Sequence, residues 1–176
     1  MMRIFVFSDT HGDVSGMDLV ISKTKPDVVI HCGDGMNDAI AIQEKYPDIE
    51  VHVVRGNCDD SPMEQERLLQ ILSHTFYITH GDQFNHGKGA TRSGEESEIR
   101  AYAKQQGATI VLHGHTHLAT FICENGVYVM NPGSASLKKP YDYKPSFGCI
   151  ELFENKAIFK LLSVEVFEKL SPEMRR

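Results

Sequence analysis

Side chains that can bind metal ions follow several short apolar runs of the sequence, at the point where each run ends. They are Asp9 and His11, then Asp34, then Asn57, then His80, and finally His115 and His117. Short, almost fully apolar runs rich in β-branched residues are typical of buried strands. Because ligands bind beyond the carboxyl ends of the strands in an open α/β sheet, we expect these side chains to meet at one edge.

The residue types favour an open catalytic metal site over a closed structural one. Histidine, carboxylate and amide oxygen without thiolate suit Mn²⁺, Fe, Co, Ni or Zn²⁺. Asp9 and His11 lie two residues apart, as do His115 and His117, so each pair can face one side of an extended segment. Asp34 could bridge two metals about 3.5–4 Å apart, the spacing of two-metal hydrolytic sites. Such a centre activates water and holds phosphoryl oxygens.

Taken in order, these motifs resemble the set found in calcineurin-like metallophosphoesterases. The segments are Asp9-x-His11, Gly33-Asp34, Gly56-Asn57-Cys58-Asp59, His80-Gly81 and Gly114-His115-Thr116-His117. The compact length and the Gly-Asn-Cys-Asp form are similar to the small YfcE-like phosphodiesterases in particular. The resemblance spans roughly residues 2–135 and includes Asn131-Pro132-Gly133-Ser134.

The resemblance implies a fold, a cofactor and a mechanism. The fold would be a four-layer αββα sandwich of two mixed β-sheets flanked by helices, with the metals at the strand ends. A water or hydroxide bridging two divalent metals would be the nucleophile, and we expect Mn²⁺, with Ni²⁺, Fe²⁺, Co²⁺ or Zn²⁺ also compatible. The implied ligands are Asp9, His11, Asp34 and His117 for one metal, and Asp34, Asn57, His80 and His115 for the other. The implied catalytic residues are Asp34, Asn57 and His80.

Four further residues are candidates for substrate contact: Arg55, Cys58, His86 and Lys88. Many members of the family carry a histidine after the motif asparagine, placed to protonate the leaving group, and here that position is Cys58. A neutral thiol suits that role poorly at neutral pH, so we hypothesise a preference for diesters or activated esters over alkyl monoesters. Arg55 could stabilise phosphate charge or form a structural ion pair, and His86 and Lys88 could touch phosphate or belong to a solvated loop.

A metal-dependent phosphodiesterase acting on a small phosphate ester is therefore the predicted function. The alternatives are a phosphomonoesterase, a nuclease, or a non-catalytic protein-binding scaffold like the small retromer subunit, which departs from the metal-ligand pattern. Every motif position here holds a competent ligand, which favours the enzyme. The net charge of −6 disfavours a nucleic-acid groove, which needs a clustered basic face.

The remaining features of the chain predict one domain over residues 1–176, since about 100–200 residues form a domain. The four cysteines are scattered and form no CxxC pair, and the amino-terminal apolar run is too short for a signal peptide. No run approaches the about 18 apolar residues of a membrane helix, so we expect a cytoplasmic protein without a membrane partner. The exposed hairpins could pair with those of a second copy, which would give a homodimer.

The sequence also predicts where the helices and the late hairpins lie. Apolar spacing and bounding prolines indicate helices over Val14–Lys25 and Met36–Tyr46. Glu95–Gln106 is predicted as a helix closed by Gly107. A helix from Ser61 to about Leu72 is predicted from the serine N-cap with proline next to it. Two hairpins are expected around Glu124-Asn125-Gly126 and Glu154-Asn155-Lys156.

Overall fold

Two five-stranded β-sheets form the centre of the protein. The computed structural model describes residues 1–84, 92–138 and 144–169, with the backbone alone at residues 92–95. The first sheet has the order β10-β9-β1-β2-β3 and the second the order β4-β5-β6-β8-β7. The strands are β1 (Met2–Phe7), β2 (Val28–His31), β3 (Glu50–Val53), β4 (Glu66–Ile71), β5 (His74–Thr79), β6 (Ile110–Leu112), β7 (Thr120–Glu124), β8 (Val127–Asn131), β9 (Ser146–Phe153) and β10 (Lys156–Ser163).

Helices cover the outer faces of both sheets. They are α1 (Ser15–Thr24), α2 (Met36–Lys45), α3 (Arg92–Gln105) and α4 (Val164–Lys169), with a single 3₁₀ turn at Asp82–Phe84. Apolar side chains from both sheets, such as Ile4 and Ile78, are fully buried between them. Phe147 and Met17 belong to a second cluster under the helices of the first sheet, and Ile99 packs α3 on the second sheet. The predicted αββα sandwich of two mixed sheets is confirmed.

Both hairpins form as the sequence predicts. The turn at Asn125-Gly126 joins β7 to β8, and both of its residues have positive φ (53° and 77°). This is the conformation that Asn-Gly favours in a two-residue hairpin. The second hairpin pairs Lys156 with Phe153 across its turn.

Three of the four predicted helices are found with shifts of a few residues at their ends, and the fourth is wrong. Residues Glu66–Ile71, placed in a helix from Ser61 to about Leu72, form β4 instead and pair antiparallel with β5. Along this strand exposed and partly buried residues alternate, and Leu68 remains 49% exposed. An edge strand with one solvated face carries few apolar residues, so the alternation of apolar and polar residues that marks a strand is weak here. The helix-start signal at Ser61, with proline next to it, is stronger and leads to the wrong prediction.

Parallel pairing brings the ends of the early strands together. β1 pairs in parallel with β2, and β2 with β3, while β5 pairs in parallel with β6. The pairing continues into the loops, where the backbone N–H of Asp9 donates to Gly33 O (3.0 Å) and that of Gly114 to His80 O (3.0 Å). The loops that carry the predicted ligands are therefore held at the same end of both sheets.

Among the residues that the structure describes, no helix is long and apolar enough to cross a membrane.

Candidate metal centre

Asp9, His11 and His117 meet at the end of β1. The Nε2 atom of His117 lies 3.2 Å from Asp9 Oδ1 and 3.1 Å from His11 Nε2. His11 Nε2 is 4.0 Å from the same carboxylate oxygen. One carboxylate oxygen and two ring nitrogens thus converge closely enough to share one ion.

Asp34, Asn57 and His80 form a second group next to the first. His80 Nε2 lies 3.3 Å from Asp34 Oδ2 and 3.1 Å from Asn57 Oδ1. The same Asp34 oxygen is 3.9 Å from His11 Nε2, so it lies between the two groups. The other oxygen of Asp34 accepts a hydrogen bond from the backbone N–H of Cys58 at 2.8 Å.

His115 stands beside the second group. Its ring centroid is 5.1 Å from that of His80 in an edge-to-face arrangement. Its backbone N–H donates to Asp9 Oδ2 at 3.1 Å, which ties the His115 loop to the end of β1. The structure therefore brings together all seven residues that the sequence predicts as metal ligands.

Five of the seven predicted ligands adopt left-handed backbone conformations. Residues other than glycine, asparagine and aspartate rarely adopt such angles, so the three histidines among the five bear the larger strain, about 1–3 kcal/mol each. Strain of this kind persists where surrounding contacts fix it, and it clusters at functional sites. These residues, with their φ angles, are Asp9 (54°), His11 (48°), Asp34 (53°), His115 (68°) and His117 (58°).

Two motif glycines allow the carboxylates to approach the backbone. A Cβ atom at Gly56 would collide with Asp34 Oδ1, and one at Gly114 would lie 2.7 Å from Asp9 Oδ2. Both distances are shorter than real Cβ contacts, so a side chain at either place would displace a carboxylate. These glycines are therefore required by close packing against the ligands.

Asp59 joins the two loops that contain Asp34 and Gly56. Its carboxylate accepts hydrogen bonds from four backbone N–H groups, at Asp34 (2.8 Å), Gly35 (3.1 Å), Met36 (3.1 Å) and Gly56 (2.8 Å). A carboxylate so occupied acts as a clamp between the two loops.

A network of buried hydrogen bonds, which sequence reasoning missed, supports the loop that carries Asp9. The hydroxyl of Thr10 donates to Asp38 Oδ2 at 2.6 Å and lies 3.1 Å from His31 Nε2. His31 Nδ1 accepts a hydrogen bond from the backbone N–H of Gly33 at 3.2 Å. The ring proton is therefore on Nε2, which donates a hydrogen bond to the hydroxyl oxygen of Thr10. All three side chains are nearly or fully buried. The network couples the loops after β1 and β2, and the separation of 28 residues between Thr10 and Asp38 left no local signal.

The polar atoms of the site fit a bound cation. Asp9 Oδ1 is buried, and no group among the described residues donates a hydrogen bond to it. His117 Nε2 lies 3.2 Å away, but without the alignment of a hydrogen bond. His80 Nδ1 donates to the carbonyl oxygen of Cys32 at 2.8 Å, which aims Nε2 at Asp34 and Asn57. Metal-ligating histidines commonly donate their other nitrogen to a carbonyl in this way. The donor set therefore suits a divalent metal.

Electrostatics within the site link His80 to Asp34. Although burial opposes a charge on His80, its hydrogen bond to Asp34 and the charge of Asp9 outweigh that effect and raise its pKa to about 9. Burial likewise opposes the charge on Asp34, but the hydrogen bond and charge of His80 hold its pKa well below the usual range. Without a metal, His80 is therefore protonated at neutral pH.

The predicted substrate-contact residues lie in different places. Cys58 is exposed, and its Sγ lies within 4.8 Å of ligand atoms of His11 and Asp34. Burial and the neighbouring Asp34 raise the pKa of the Cys58 thiol to about 11, so it remains a neutral thiol. Arg55 is partly buried and its backbone N–H donates to Glu64 O at 2.9 Å. His86 and Lys88 lie outside the described residues.

Comparisons with known proteins point to one family. The model of the calcineurin-like phosphoesterase superfamily domain matches residues 2–155. The probable metallophosphoesterase YsnB of Bacillus subtilis is 29% identical over 144 residues, which cover 78% of each chain. The phosphodiesterase MJ0936 of Methanocaldococcus jannaschii is 23% identical over 152 residues, which cover 75% of this chain and 83% of that one.

Two solved structures share the fold. YfcE, a phosphoesterase from E. coli, has a TM-score of 0.61 at 18% identity and covers 93% of this chain and 100% of its own. Vps29 of Entamoeba histolytica, solved in complex with zinc, has a TM-score of 0.69 at 21% identity and covers 93% and 99%. The family resemblance inferred from the motifs, including the likeness to YfcE, is confirmed.

Removing the Thr10 hydroxyl tests the buried network. We expect Thr10→Val to weaken binding of a divalent metal by about tenfold, the lower end of the effect of direct ligand partners, because Thr10 lies between Asp9 and His11 and its bonds to His31 and Asp38 fix their loop. Affinity is measured by competition with a chromogenic chelator. Thr24→Val removes a hydroxyl that donates within α1 at 2.7 Å and serves as the control. Equal affinities in the two variants would contradict the role of the network.

The raised pKa of His80 gives a test by proton counting. A metal must displace the His80 proton, so His80→Asn should release about one proton fewer than the unmodified protein on metal binding at pH 7.5. The count comes from calorimetry in buffers of different ionisation enthalpy, with His74→Asn as control.

The same shift fixes the pH dependence of the metal-free protein. Because the folded pKa lies above the ordinary 6.5, protonated His80 stabilises the fold below pH 6.5, and this contribution is lost as the pH rises through about 9. Metal affinity should rise over the same interval. An unfolding free energy that does not depend on His80 in this range would contradict the assignment.

Proposed function

Because the chain belongs to the calcineurin-like phosphoesterase superfamily, we propose that it is a phosphodiesterase with a dinuclear divalent-metal centre. Asp9, His11, Asp34 and His117 would hold one ion, and Asp34, Asn57, His80 and His115 the other. Mn²⁺ is the metal we expect, and the nitrogen and oxygen donors also accept Ni²⁺, Fe²⁺, Co²⁺ or Zn²⁺.

The position of Asp34 supports this proposal more than any other observation. Its Oδ2 atom lies 3.9 Å from His11 Nε2 and 3.3 Å from His80 Nε2, so one carboxylate faces both ligand groups. A carboxylate at 4% exposure is unfavourable unless hydrogen bonds or nearby positive charge compensate it. A pair of cations sharing Asp34 would supply that charge.

The metals, when bound, would acidify a water to give the nucleophile and neutralise charge on the phosphoryl oxygens. The protein's own part is to hold the ligands before substrate arrives. Cys58 N–H fixes the Asp34 carboxylate, and the loop clamp Asp59 fixes the Asp34 backbone. The bond from His80 Nδ1 to Cys32 O fixes the ring of His80. Preorganised groups of this kind need no rearrangement during the reaction.

The preference for diesters is supported by Cys58. Its thiol lies beside the ligand groups and has a raised pKa, which makes it a poor proton donor to an alkoxide leaving group at neutral pH. An ester with a good leaving group or a second esterified oxygen depends less on such a donor. The similarity to a named phosphodiesterase, MJ0936, is in keeping with this preference.

Hydrolysis of two chromogenic esters tests the function. We expect the chelated protein to be inactive and Mn²⁺ to restore cleavage of bis-p-nitrophenyl phosphate more strongly than of p-nitrophenyl phosphate. Asp34→Asn should lower the metal-restored rate by more than about 100-fold, because the shared ligand loses its charge. Asp18→Asn, whose carboxylate pairs with Lys45 on the surface, is the matched control.

The outcomes separate the alternatives. Bound metal with cleavage of the monoester alone would replace the diesterase with a phosphomonoesterase. Neither metal binding nor cleavage of any ester would favour a non-catalytic scaffold. An Asp34→Asn variant with full metal content and full rate would overturn the shared-ligand assignment.

Replacing Cys58 tests the source of the preference. We expect Cys58→His to raise the rate on an alkyl monoester relative to the rate on bis-p-nitrophenyl phosphate, since an imidazole can donate a proton to an alkoxide leaving group near neutral pH. The ratio of the two values of kcat/KM is the readout, and Cys58→Ser is the control. An unchanged ratio in Cys58→His would contradict the role of the thiol.

A further inference from the structure

A cavity of about 380 Å³ opens directly beside the metal centre. Three segments form its wall: His117–Ala119, Lys144–Ser146 and Leu161–Ser163 at the end of β10. His117 belongs to both places, because its Nε2 lies 3.2 Å from Asp9 Oδ1 while the residue lines the cavity. The cavity therefore adjoins the metal centre through His117, within reach of a substrate bound there.

The wall of the cavity is mainly apolar. Leu118, Ala119, Leu161 and Leu162 are among its lining residues. Leu161 packs toward the cluster between the sheets and Leu162 toward the cluster under the helices, so Leu161 is the one on the side of the second sheet. The hydroxyl of Ser146 already donates to Pro132 O at 2.7 Å, so it offers no free proton to a ligand. Small-molecule sites commonly have this character, with volumes of about 300–1,000 Å³ and a few polar groups that fix orientation.

The lining of the cavity includes one positively charged side chain. Lys144 lines the cavity, and its side chain is exposed. An ammonium group next to an apolar wall attracts a ligand that has a negative charge beyond its apolar part, because the charge can remain partly hydrated while the apolar part is buried. The apolar wall and Lys144 thus both favour a ligand with an apolar part and a negative charge beyond it.

From these features we infer that the cavity is a specificity site for the alcohol part of the substrate. The substrate would be a phosphodiester with a ring-sized apolar alcohol group that carries a second negative charge. The phosphodiester part of this inference rests on the proposed function. The cavity selects the alcohol through Leu118 and Leu161, and Lys144 pairs with the added charge.

Binding of phosphonates, which are not hydrolysed, tests the site without catalysis. The zinc-loaded protein is titrated with methylphosphonate, benzylphosphonate and 4-carboxybenzylphosphonate, and leucine methyl resonances are followed by NMR. We expect benzylphosphonate to bind at least about tenfold more tightly than methylphosphonate and to shift the methyl signals of Leu118 and Leu161. The carboxylated probe should bind more tightly still.

Two variants separate the apolar wall from the lysine. Ala119→Phe places a ring in the cavity from an exposed loop position and should reduce the preference for benzyl over methyl by at least about fivefold. Leu68→Phe, on the exposed face of β4, is its control. Lys144→Gln should remove the advantage of the carboxylated probe, and Lys156→Gln, outside the cavity, should not.

Leucine methyl signals that benzylphosphonate does not shift would overturn the inference, as would a benzyl preference that survives Ala119→Phe. Cleavage of diesters combined with either result would reject the cavity and leave the proposed function standing. Shifted methyl signals without cleavage of any diester would instead reject the proposed function and leave the cavity as a binding site for apolar phosphonates.

Discussion

Two buried carboxylates, Asp9 and Asp34, impose the main physical constraint on this structure. Asp9 is fully buried and Asp34 is 4% exposed, so neither charge is solvated by bulk water. An isolated buried carboxylate is strongly unfavourable unless hydrogen bonds or cations compensate it. The chain meets this demand with backbone N–H groups from the loops near His115 and Cys58, and with imidazoles that surround both carboxylates. The parallel strands matter because they deliver all these groups to one end of the sandwich.

Much of this arrangement could be predicted from the sequence, because it depends on strand ends. The apolar runs before Asp9, Asp34 and His80 mark buried strands, and parallel strands place their following residues together. The Asn125-Gly126 turn was equally clear, since few dipeptides adopt two consecutive positive φ angles. Each of these features is encoded within a few residues.

Features that depend on distant residues or on weak patterns could not be predicted. The hydrogen bond between Thr10 and Asp38 joins residues 28 positions apart, and each alone resembles an ordinary turn or helix residue. β4 alternates exposed and partly buried positions, so its apolar signal was too sparse to compete with the helix start at Ser61. The cavity beside His117 is formed by three separate segments, and none of them has a recognisable motif.

Five of the predicted ligands combine a metal-binding side chain with a left-handed backbone, and this has a consequence for engineering and evolution. At such positions glycine relieves the backbone strain, so His11, His115 and His117 each hold a metal-binding side chain against the preference of the backbone. Replacing one of these histidines by glycine would relieve strain, but it would also remove an imidazole near the buried carboxylates and delete a predicted ligand. Design that scores backbone strain alone would therefore exchange function for robustness at these sites first. A variant library for this chain should hold them fixed and look for added stability in the sheets and helices.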